Sequence, residues 1–79
     1  MRIQVLFFGA TADIAGKRRI AVEMATKTTA KDVFEKLITE HPQLASHKLH
    51  TSLNQQYATG DEILSDGDEL AIFTAVSGG

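Results

Sequence analysis

The sequence predicts an α+β domain of β-grasp architecture, a mixed sheet with one main helix packed on one face. Three observations predict it. Two segments near the start alternate apolar and polar residues with the period of a strand, a central segment carries its apolar residues in a helical stripe, and the last third is cut by turns and closes in another alternating run. The order strand, strand, helix, strand, short strand, strand within 79 residues leaves room for one domain and one modest core.

The first run is Arg2 to Phe8, where Ile3, Val5 and Phe7 alternate with Arg2, Gln4, Leu6 and Phe8. A break at Gly9 to Gly16 follows. Arg19 to Met24 alternates again, with Ile20, Val22 and Met24 opposed to Arg19, Ala21 and Glu23, and two neighbouring strands of this kind suggest a hairpin. After Thr28-Thr29, the residues Val33, Phe34, Leu37 and Ile38 fall on one stripe at helical spacing. Thr29 is suited to cap that helix, Asp32 stands where a capping box wants an acid, and Pro42 should end it near His41. Then come Leu49 to Leu53, Gln56 to Ala58, a turn at Gly60-Asp61, a turn at Ser65 to Asp68, and a final strand from Glu69 to Thr74.

One helix covers one face, so the other face has no cover from this chain. The charged and polar neighbours Arg2, Gln4 and Glu69 disfavour burial, which assigns Ile3, Val5, Phe7, Leu70 and Ile72 to the core under the helix. Leu6, Phe8, Ala71 and Phe73 then lie on the open face. Two aromatic rings on an uncovered sheet make a candidate partner patch; an incidental exposed ring or a minor core under a loop is the plainer alternative.

Composition narrows the function. The formal charge is −2 and the longest basic run is Lys17-Arg18-Arg19, too short for a nucleic-acid footprint. No apolar stretch approaches the roughly 20 residues that cross a bilayer, so a cytoplasmic protein with no membrane association is expected. Cysteine is absent, which removes disulfides, thiolate metal sites and any persulfide held on a side chain. Gly9 and Gly16-Lys17 are spaced by six residues where a phosphate loop has four, and Arg18 replaces the Ser or Thr that would bind Mg²⁺. His41, His47 and His50 lie in what reads as a polar loop without metal-ligand spacing, and the acidic turns at Asp61-Glu62 and Asp66 to Glu69 lack the alternating oxygen ligands of a calcium loop; no metal site is expected. Ser52, Ser65 and Ser77 show no histidine and carboxylate relay. Nothing here reads as a self-contained catalyst.

The pattern divides the chain into residues 1–74, the β-grasp domain, and residues 75–79, a flexible tail ending in Gly78-Gly79. Two glycines at fixed positions arise by chance in roughly 0.5% of chains at ordinary glycine usage, so the ending carries information unless it is a trivial floppy end. Without side chains, two glycines let an extended backbone enter a narrow channel and leave a terminal carboxylate sterically open. Once ATP converts that carboxylate to an acyl-adenylate, the nucleophile that displaces AMP decides the product: a sulfide equivalent gives a thiocarboxylate, a thiol or amine gives a conjugate.

Four segments together, Val5-Leu6-Phe7-Phe8-Gly9, Leu53-Asn54-Gln55-Gln56-Tyr57, Leu64-Ser65-Asp66-Gly67-Asp68-Glu69-Leu70-Ala71 and Val76-Ser77-Gly78-Gly79, resemble the small subunits of molybdopterin synthase, in the same order along the full chain. These belong to the ubiquitin-like sulfur carriers and have the ubiquitin-like β-grasp fold. The resemblance implies that a ubiquitin-activating-like enzyme, consuming Mg-ATP, adenylates Gly79, that a sulfurtransferase system makes the thiocarboxylate, and that the carrier docks on a large subunit in a heterotetramer of two small and two large chains. Sulfur then passes to a cyclic pyranopterin precursor to form molybdopterin. No cofactor is bound intrinsically in this scheme; the sulfur rides covalently on Gly79, with Gly78 supplying flexibility and fit. Phe8, Tyr57 and Phe73 match docking positions, joined by Val76 and Ser77 of the tail. Where the family commonly has a Pro-Pro pair, Thr74-Ala75 stand here, implying a less stiff tail. A carrier for another pathway, such as thiamine thiazole synthesis, and a ubiquitin-like protein modifier share the Gly-Gly ending and remain alternatives.

Overall fold

Strand β1 (Arg2–Phe7) buries Ile3, Val5 and Phe7 and turns Arg2, Gln4 and Leu6 to the other face, as its alternation requires. The computed structural model describes residues 1–74. The expected tail over 75–79, with Val76, Ser77, Gly78 and Gly79, lies outside the described residues. After β1 come helix α1 (Ala10–Ala15), strand β2 (Arg19–Glu23), helix α2 (Ala30–Glu40), a 3-10 helix (Pro42–Ser46) and strands β3 (Leu49–Leu53), β4 (Gln56–Tyr57) and β5 (Glu69–Thr74). The sheet order is β2-β1-β5-β3-β4. All pairings are antiparallel except β1 with β5, which run parallel from Gln4↔Glu69 to Phe7↔Ile72. A mixed five-stranded sheet with its last strand at the centre and one main helix across one face is the ubiquitin-like β-grasp fold.

Helix α2 starts where its cap chemistry dictates. The amide N–H of Asp32 donates to Thr29 Oγ1 (3.3 Å) and that of Thr29 donates to Asp32 Oδ2 (2.9 Å), a complete capping box. Val33 and Leu37 are fully buried over the sheet, with Phe34 and Ile38 half-buried beside them. At the other end His41 donates its N–H to the carbonyl of Leu37 (2.8 Å), and Pro42 opens the 3-10 helix, which drops Leu44 into the core.

Three expectations are corrected. The segment Gly9 to Gly16 is no simple break, because it holds helix α1, closed by Gly16 in the left-handed conformation (φ 72°) with its N–H bonded to the carbonyl of Ala12 (2.9 Å). The helix is anchored by Thr11, fully buried, whose Oγ1 lies 2.7 Å from the carbonyl oxygen of Phe8 and 2.8 Å from that of Ile72. His50 is not in a loop but within β3. Ala71, assigned to the open face, does point there but is buried, since β5 is the central strand and Leu6 and Ser52 flank a side chain of one methyl group.

Candidate functional site

Register fixes what the open face carries. Leu6 pairs with Ala71, Ala71 with Ser52, Ser52 with Tyr57, and His50 with Phe73, so all of these side chains leave the sheet on the side away from α2. Three rings gather there. The His50 and Phe73 centroids are 5.8 Å apart, His50 and Tyr57 6.1 Å with nearly perpendicular planes, and Tyr57 and Phe73 6.0 Å. Such spacings suit edge-to-face and tilted packing of rings. The trio supports itself, yet Tyr57 remains 77% exposed and has no cover above it.

Phe8 extends this face at the other side. It is 52% exposed, its backbone N–H still reaches the carbonyl of Ile72 (3.1 Å) next to Phe73, and with Leu6 it borders a depression that also takes in Arg18 and Arg19. The structure therefore brings Phe8, Tyr57 and Phe73 to one surface, near the end of β5 that leads into the tail. His50 was missed as a member. Its signal was available: Leu49, Thr51 and Leu53 alternate with His50 and Ser52, so a strand reading of this run puts His50 opposite the core.

The acidic turns do a structural task. Asp66 Oδ1 accepts from the N–H of Arg2 (2.6 Å), Asp68 Oδ2 from that of Ser65 (2.7 Å), and Glu62 accepts from the N–H groups of Thr59 (2.7 Å) and Gly60 (2.8 Å). The Thr59 amide, followed by the amides of Glu62 itself and Gly60, holds the Glu62 carboxyl below its ordinary value; the Thr29 amide and hydroxyl do the same for Asp32. Among the described residues no group of three or more His, Asp or Glu side chains converges as a metal site. Nor is any described helix long and apolar enough to cross a membrane.

Known proteins resemble this chain over all or most of its length. A molybdopterin synthase sulfur carrier subunit from Chlamydomonas reinhardtii is 35% identical over 83 residues, with 100% of both chains covered. Small archaeal modifier protein 1 from Haloferax volcanii is 32% identical, covering 91% of this chain and 94% of its own. Among solved structures, SAMP1 from Haloferax volcanii superposes with a TM-score of 0.86 at 28% identity over 100% of both chains. The fold is also shared, at a TM-score of 0.72 and 22% identity over 100% of both chains, by a chain in the complex of subunits 1 and 2 of molybdopterin-converting factor from Helicobacter pylori. The ThiS family model matches residues 5–79, from within β1 through the Gly-Gly ending. That match spans all but the first four residues, the central strand β5 and the uncovered aromatic face included, and the chain therefore belongs to the ThiS family.

Proposed function

We propose that this chain is the sulfur-carrier subunit of molybdopterin synthase. The observation that carries the reading is the end-to-end similarity to a curated subunit of that name. In this reading the Gly79 carboxylate attacks the α-phosphate of ATP on a ubiquitin-activating-like enzyme, pyrophosphate leaves, and a sulfide equivalent then displaces AMP so that the acyl C–O bond breaks as the C–S bond forms. The thiocarboxylate is the more nucleophilic, less solvated anion. It delivers sulfur to a cyclic pyranopterin precursor held by a large subunit, with which the carrier forms a heterotetramer of two small and two large chains in the cytoplasm. The uncovered face with Phe8, Tyr57 and Phe73 is the docking surface, and Val76, Ser77 and Gly78 thread the partner's channel. The Helicobacter pylori complex supports a partner of this kind for a chain of the same fold.

The Haloferax volcanii relative favours a second reading, a protein modifier joined through Gly79 to lysines of other proteins. Intact-mass spectrometry separates the two. With activating enzyme, Mg-ATP and a sulfur donor, the carrier gains about 16 Da by exchange of one oxygen for sulfur at Gly79. The modifier instead adds its whole mass to target lysines. Deleting Gly79 withdraws the reactive carbon by about 3.5 Å and abolishes both the mass gain and sulfur transfer. No sulfur at Gly79, or full synthase activity from the deleted chain, overturns the sulfur-carrier reading.

A further inference from the structure

Strand β2 is an edge of the sheet, and its exposed residues carry opposite charges at its two ends, Arg19 and Glu23. The ladder between β1 and β2 sets which backbone groups face outward. Met24 and Met1 exchange bonds in both directions (2.9 and 2.8 Å), and the N–H of Phe7 donates to the carbonyl of Arg18 (2.9 Å). The closely bonded pairs of this antiparallel ladder therefore fall on Arg18, Ile20, Val22 and Met24. The N–H and C=O groups of Arg19, Ala21 and Glu23 point away from β1, and these residues are exposed.

An edge of this kind recruits another strand unless something repels it. Here the side chains select the recruit. A second copy laid antiparallel about a two-fold axis through Ala21 places Arg19 opposite Glu23 of the partner subunit and Glu23 opposite Arg19 of the partner subunit, while Ala21 meets its own copy. Each of those three pairs is one whose backbone groups face outward, so each exchanges two N–H···O bonds. On the helix side Ile20 falls opposite Val22 of the partner subunit. Moving the register by one residue aligns amides already bonded to β1, and moving it by two in either direction sets Ala21 against Arg19 or Glu23 of the partner subunit and loses both Arg19–Glu23 pairs within the strand. A parallel arrangement sets arginine against arginine and glutamate against glutamate, which is destabilising.

We propose that the β2 edge is a self-association surface, its occupant a second copy of this chain in the Ala21-centred antiparallel register. The two-fold axis is perpendicular to the sheet, so the pair forms one ten-stranded sheet with both uncovered aromatic faces on the same side. The contact is small and reversible, in the range of transient interfaces.

Charge reversal tests it on the full chain by sedimentation equilibrium up to about 1 mM, where small transient interfaces are populated. Wild type associates with rising concentration. Arg19→Glu and Glu23→Arg each weaken association by about tenfold or more, because attraction becomes repulsion at both ends of the strand. An equimolar mixture of the two variants, and the single chain carrying both reversals, recover it, since each again sets opposite charges face to face. Recovery excludes damage to the fold as the cause of the loss. A wild type that stays monomeric throughout, reversals without effect, or association abolished by Phe8→Ala or Phe73→Ala instead would overturn the proposal.

Discussion

Phe7 is 2% exposed and Phe8 52%, although they are neighbours, because consecutive side chains leave a strand on opposite faces. Phe7 packs under α2 with its ring edge toward His41 (centroids 6.4 Å apart), so Phe7→Ala empties a buried volume and is expected to destabilise the domain by roughly 3 to 5 kcal/mol, measured by denaturant unfolding. A wild-type midpoint for that variant would invert the face assignment. Glu62 is a residue of another kind, half-buried in its turn and bonded to the amides of Thr59 and Gly60. Its carboxyl is held below its ordinary 4.5, so the unfolded chain binds the proton more readily and stability falls as pH drops from about that value through the folded one. Glu62→Gln should flatten this part of the acid limb of a stability-against-pH curve and leave the curve near neutrality parallel to wild type. An unchanged acid limb would show that the turn does not report on folding.

Helix α2 was legible because several signals agree on it: a long amphipathic stripe, Thr29 and Asp32 at capping distance, and Pro42 after its end. Removing the hydroxyl in Thr29→Ala unpairs the Asp32 amide and is expected to lower stability by about 1 kcal/mol, with Thr29→Ser restoring most of it in thermal melts. Equal melting of all three proteins would mean that the box adds nothing. Helix α1 was not legible for the opposite reason. Six residues make fewer than two turns, too few to reveal a helical period, its cap residue Gly9 offers no side chain, and its anchor is a tertiary contact from Thr11 to Ile72. The strands were read correctly from alternation, but alternation alone does not say which strand is central. That is why Ala71 was expected in the open. His50 was left out of the ring cluster for another reason: it was read as one of three scattered histidines and not as part of the alternation of β3.

At the scale of the molecule, the candidate surface exists because five strands bring residues far apart in sequence onto one side of a sheet with helical cover on the other. Phe8→Ala and Phe73→Ala are expected to leave the fold largely intact and to weaken binding to a large subunit by on the order of 2 kcal/mol each, as loss of a central aromatic anchor does. Titration calorimetry with unchanged affinity for both would remove these rings from the interface. Strand β5 sits between β1 and β3, and its parallel partner β1 comes from the opposite end of the chain. Until β5 is in place, β2-β1 and β3-β4 are two hairpins with no hydrogen bonds between them, and the closure of that gap is a long-range event of the sort that slows folding. A nascent chain on the ribosome therefore has nothing to complete until its last strand has been made, and a copy that stalls before Leu70 presents open sheet edges to proteases and chaperones instead of a finished domain. The position of β5 thus ties the candidate surface to the end of the fold: Leu6, Ala71 and Phe73 share one face only once this strand has closed the gap between the two hairpins.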